Sequence, residues 1–238
     1  MKPRPQPGYY PGFDLLTQVS FWDEATRKTV LKRLDPPPPL RFFTPPEAQL
    51  LDAVCARILP QDDREPDRRI AIVPVIDERL AEGRINGYRF ADMPPDADAH
   101  RLGLEAIQAI SRHLHRRGFE HLTGLEKDAV LLTIHDGAPP AGEHVWHQMS
   151  VIRYWKFLLD DVVTAYYQHP WAWNEIGFGG PAYPRGYMRL ERGEPEPWEV
   201  REQRHVWSPP ADSFSGEFTP LAEAGPCWKK KKLLVASS

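Results

Sequence analysis

The chain has 238 residues, enough to bury a sizeable core, and its 30 basic against 33 acidic side chains leave a formal net charge of -3. A field that weak gathers neither nucleic acid nor an anionic membrane, so nucleic-acid binding is not expected. Cys55 and Cys227 are the only cysteines and stand far apart, so no disulfide framework or thiolate metal site is read from their spacing.

The first residues, MKPRPQPGYYPGFDLL, carry four prolines by Pro11 and no apolar core of the signal-peptide kind. Little periodicity follows as far as Phe21, which predicts an extended arm outside the core. Asp23 is placed to cap a short helix over 24–34, and Pro36 to Pro39 stop it and favour a stiff polyproline spacer. Residues 1–41 are therefore expected to form an arm.

The main domain is expected over 42–190. Thr44-Pro45-Pro46-Glu47 is a capping-box pattern with proline at the first helical position, and Leu50, Leu51, Val54, Ile58 and Leu59 follow at helical spacing. This predicts a helix over 45–59, ended by Pro60. A charged loop follows over 61–69, then a short helix over 72–80. Asp96 is placed to cap a longer helix that ends near Gly118, and Thr123-Gly124-Leu125-Glu126 opens another that stops at Gly137. From His147 to Gln168, Val151, Trp155, Leu158, Leu159, Val162, Val163 and Tyr166 trace one buried stripe, predicting the central helix. Cys55, within LLDAVCARIL, reads as a small buried hydrophobe.

No alternating pattern competes with these helices, so the expected fold is all-α: one compact helical domain with a proline-rich arm and an irregular tail. That tail, 191–238, is charged, proline-containing and aperiodic, and is expected to wrap the surface or stay partly disordered. Lys229 to Lys232 precede only three apolar residues, too few for a stable membrane anchor.

Motifs for chemistry are few. Gly177-Phe178-Gly179-Gly180-Pro181-Ala182 has the loose form of a dinucleotide fingerprint, but a helix precedes it and Pro181 and Pro184 forbid the helix that should follow. His113 and His115 diverge on a helix, and His144 and His147 have no accompanying HExxH or cysteine pattern, so no metal site is assigned. Asp160 and Asp161 are helical neighbours that diverge, and both are expected on the solvent face. No serine lies in GxSxG, and no catalytic residue is assigned.

The densest feature is residues 166–187, YYQHPWAWNEIGFGGPAYPRGY, with seven aromatic residues, four glycines and three prolines. It reads as a tightly turning loop in which His169-Pro170 ends the central helix. Two roles are open. Trp171, Trp173, Phe178 and Tyr183 fold back to seal the core, or the aromatic side chains dock on a partner while Asn174, Glu175 and Arg185 supply hydrogen bonds. A third use of the same rings is to stack on sugars, as in a carbohydrate-binding module.

TPPEAQLLDAVCARILPQDD, followed by DDVVTAYYQHPWAWNEIGFGGPAYPRGY, resembles the gluconate 2-dehydrogenase subunit 3 family from about Phe42 to Leu190. The order Tyr166, His169-Pro170, Trp173-Asn174-Glu175, Gly177-Phe178, Gly180-Pro181 is its distinctive part. The resemblance implies a noncatalytic, γ-type helical subunit with no cofactor of its own. Its implied partner is a larger FAD-dependent dehydrogenase of the glucose-methanol-choline (GMC) type, often with a cytochrome c subunit, and its implied role is to stabilise or mature that enzyme. The interface candidates are Tyr166, Tyr167, His169, Trp171, Trp173, Asn174, Glu175, Phe178, Tyr183, Arg185 and Tyr187. Export-associated members commonly carry a twin-arginine signal. Here Arg68-Arg69 and Arg116-Arg117 are internal, so the expected location is cytoplasmic, or periplasmic only with a signal-bearing partner.

Overall fold

Two capping boxes and one long apolar stripe organise a helical bundle. The computed structural model describes residues 14–181 except residue 86; the tail over 191–238 lies outside these residues, as do Tyr183, Arg185 and Tyr187. Among the described residues every regular element is a helix, as the all-α expectation requires. The helices are α1 (Glu24–Lys32), α2 (Pro45–Ile58), α3 (Ile72–Ala81), α4 (Asp96–His115), α5 (Gly124–His135), α6 (Glu143–Trp146), α7 (Val151–Tyr167) and α8 (Pro170–Ile176).

Local chemistry sets their ends. At α2, Pro45 takes the first helical position and Glu47 accepts from the Thr44 backbone N–H at 2.8 Å. At α5, Thr123 Oγ1 accepts from Glu126 N at 3.4 Å while Glu126 accepts from Thr123 N at 2.8 Å. Three boundaries differ from expectation. The residue before α4 is Pro95 rather than a capping Asp96, and Asp96 instead places its charge in the first turn, where the helix dipole favours it. The same helix stops at Arg116, which takes the left-handed conformation (φ 59°) and bonds back to Arg112, so Gly118 is not its terminator. The central helix also starts later than expected, at Val151, after Ser150.

α7 runs through the middle and packs against α2, α3, α4, α5 and α8. Leu51, Val54, Ile76, Ile107, Ile110, Ile134, Leu158 and Val162 close the core between these helices. One close approach depends on a missing side chain: a Cβ at Gly103 on α4 would lie 2.0 Å from the Tyr154 ring on α7. Tyr154 is fully buried, and its hydroxyl has no hydrogen-bond partner among the described residues; burial holds it well above the ordinary phenol range. Cys55 is buried as expected, its thiol also pushed up by desolvation.

The segment before α1 departs from the extended arm. Leu15–Phe21 is a 3-10 helix in which Leu15 and the following Trp22 are buried. Asp14 caps it, and Leu15, Trp22 and Val30 form a second small core with Trp173 of α8. The apolar surface of α8 supplies what the arm's weak periodicity lacked. After Pro36 to Pro39, the chain is fastened by buried Asp77 of α3, whose carboxylate accepts from the backbone N–H groups of Arg41, Phe42 and Phe43 at 2.6, 3.0 and 2.8 Å.

Candidate functional site

The corner where α7 gives way to α8 gathers most of the sequence candidates. His169 precedes a proline, which disfavours the helical conformation, and it adopts an extended one (φ -83°, ψ 134°). Its Nδ1 then caps a new helix by accepting from Trp171 N at 3.1 Å, with Pro170 at the first helical position. The stretch expected to be a loop is therefore helical as far as Ile176. Proline ends one helix and starts the next. Gly177 closes α8 in the left-handed conformation (φ 67°), a terminating role and not one of phosphate binding.

Three polar residues lock this corner. Arg64, from the loop between α2 and α3, is buried and pairs with Glu175 of α8. The Tyr166 hydroxyl accepts from Arg64 at 3.1 Å and donates to Glu175 at 2.9 Å. Burial pushes the Tyr166 pKa up to about 12, so it stays a donor at neutral pH. His169 is shifted the other way, to about 4, by burial and by the nearby Arg64 and Arg33 cations. It is a neutral cap.

The aromatic residues divide by direction. Trp173 is buried, donates its indole N–H to Tyr167 O, and meets Phe178 edge-on at 5.1 Å. Arg33 lies over its ring at 5.6 Å and donates to Gln168 O at 2.9 Å. Asn174 accepts from Leu15 N at 2.8 Å, tying α8 to the amino-terminal segment. Trp171 is half-buried between His169 (4.6 Å) and Arg68 (5.2 Å), and Tyr167 is 40% exposed. Of the residues expected to seal the core, Trp173 is buried, Phe178 packs partly against the smaller core and Trp171 partly against the main one; Tyr166 is buried as well, while Tyr167 and Trp171 keep accessible surface.

A second polar centre escaped sequence reading. Asp161 was expected on the solvent face but is buried, paired with Arg79 of α3 and 2.7 Å from His100 Nε2 of α4. Arg79 also pairs with Asp96 at 2.6 Å. Only Asp160 faces solvent, where it pairs with Lys156 at 2.7 Å. The buried stripe Tyr154, Leu158, Asp161, Ala165 has helical spacing, and that register is the signal that would have placed Asp161 inward. His144 is engaged with Glu105 at 2.8 Å, and among the described residues no three His, Cys, Asp or Glu side chains are grouped to hold a metal.

Over the described residues, fold and corner together define a small all-helical domain whose buried polar groups hold helices and chain segments in place. Residues 45–180, more than half of the chain, match the family described as gluconate 2-dehydrogenase subunit 3, and the chain belongs to that family. The family name is that of one subunit of a multi-subunit dehydrogenase and so implies partner subunits. No curated protein and no solved structure matches the chain significantly. Among the described residues no helix is long and apolar enough to cross a membrane.

Proposed function

We propose that this chain is a noncatalytic accessory subunit that binds and stabilises or matures a larger FAD-dependent dehydrogenase of the GMC type, acting on a sugar or sugar acid. Family membership over residues 45–180 carries the reading. The α7–α8 corner supports it: Arg64, Tyr166 and Glu175 rigidify the base of α8 while Tyr167 and Trp171 stay accessible. A preorganised aromatic surface binds without the entropic cost of ordering a loop. FAD then belongs to the partner, and a cytochrome c subunit completes the electron path. Sugar stacking has less support, because Trp173 is buried and Trp171 is flanked by His169 and Arg68.

Co-expression with a GMC-type flavoprotein dehydrogenase from the source genome yields one co-purifying complex whose flavin absorbance resides in the larger chain. Independent elution of two folded chains would overturn the proposal. In that complex Trp171→Ala weakens assembly by about 2 kcal/mol, the scale of an interface hot spot. Unchanged affinity in a folded variant would remove Trp171 from the interface.

A further inference from the structure

A groove of about 1340 Å³ runs between α1 with its polyproline extension, α3 and α7, and reaches His169 and Trp171. Six cations line it, Lys28, Lys32, Arg33, Arg69, Arg79 and Arg84, against the carboxylates of Asp35, Asp67, Glu78 and Asp161. Arg79 is committed to Asp161 and Asp96, and Arg84 to Glu82 and Glu78. Lys28, Lys32, Arg33 and Arg69 have no ion-pair partner among the described residues, which leaves positive charge in excess along the groove.

The volume exceeds the roughly 300–1,000 Å³ of small-molecule pockets. Most of its wall residues lie in helices, whose N–H groups are used internally, or at Pro36 to Pro38, which have none. An added β-strand would therefore find no continuous row of backbone donors there, and recognition falls mainly to side-chain charge. We propose that this groove takes an extended acidic segment of the partner subunit, its carboxylates set against Lys28, Lys32, Arg33 and Arg69. The inference rests on the accessory-subunit reading and adds the chemistry of one contact to it.

The test uses the full chain and a fluorescein-labelled peptide of alternating Glu and Gly, read by anisotropy. Wild type binds it, binding weakens as salt rises, and K28Q/K32Q/R69Q lowers affinity by about tenfold while Lys156→Gln leaves it unchanged. The corresponding Lys-Gly peptide does not bind. Equal affinity of wild type and the triple variant, or no anisotropy change at all, overturns the inference. So does a tenfold gain in affinity on E194Q/E196Q/E199Q, because the chain's own acidic segment would then be the occupant. In co-expression the triple variant loses the flavoprotein that wild type retains. If both retain it equally, the groove assignment fails and the accessory function stands; if wild type never retains it, the function itself fails.

Discussion

The main core and the smaller one under Trp22 are closed in different ways. In the first, α2, α3, α4, α5 and α7 surround a centre where Asp161 is held by Arg79 and His100, largely shielded from water. In the second, Leu15, Trp22, Val30 and Trp173 meet with Val19 and Phe178 at the edge, and the polar bonds are peripheral: Asn174 to Leu15, Arg33 to Gln168 O. Charges buried in a well-packed centre couple several helices at once. A few large side chains at the rim fasten one segment only. The amino-terminal segment should therefore open at a lower free energy than the bundle it rests on.

Adjacent carboxylates on α7 offer the largest break in that comparison. Asp161→Asn leaves Arg79 and His100 without their shared anion and destabilises the fold by about 3–5 kcal/mol, the cost of breaking a buried ion pair. Asp160→Asn removes only the exposed contact with Lys156 and costs about 0.5 kcal/mol or less. Urea unfolding of the two variants measures the difference. Similar losses from both would mean that the buried centre does not hold the bundle together.

These neighbours also mark what was legible in the sequence. The capping boxes at Thr44 and Thr123 and the stripe through Leu158 and Val162 were readable because caps and periodicity are local, although Val163, expected on that stripe, is exposed. Asp161 was misread because residue type outweighed register: its position falls on the buried stripe, and only partners 82 and 61 residues away make burial tolerable. Those partners belong to tertiary structure. The helix at Pro170 was hidden by another ambiguity, since X-Pro marks the end of one helix and the start of the next with equal force. The docking of Leu15 and Trp22 depends on the far end of the domain and left no periodic trace.

Trp22→Ala sharpens the comparison by acting on the smaller core alone. Truncating a buried tryptophan costs about 3–5 kcal/mol of local packing, and the loss appears where that packing lies. Hydrogen exchange of α1 accelerates strongly while α4 and α7 keep their protection. Equal acceleration in all three helices would show one cooperative unit instead of two levels of stability.

The finest probe is His169, at the junction of the two cores. In the folded chain its pKa is depressed from 6.5 to about 4, because burial and the Arg64 and Arg33 cations disfavour a second positive charge. Its neutral Nδ1 is also the lone pair that caps α8. Above pH 6.5 the ring is neutral in both folded and unfolded chains, and the contribution to stability is fully present. As pH falls from 6.5 towards 4, the unfolded chain takes up a proton that the folded chain resists, and stability is lost; below about 4 both are protonated and the loss stops. His169→Asn keeps a capping oxygen but cannot titrate. Midway through that window the wild type takes up about one more proton on unfolding than the variant does, so its stability falls more steeply with acid. Parallel stability curves would show that His169 titrates alike in the folded and unfolded chains, and that the corner is open to water.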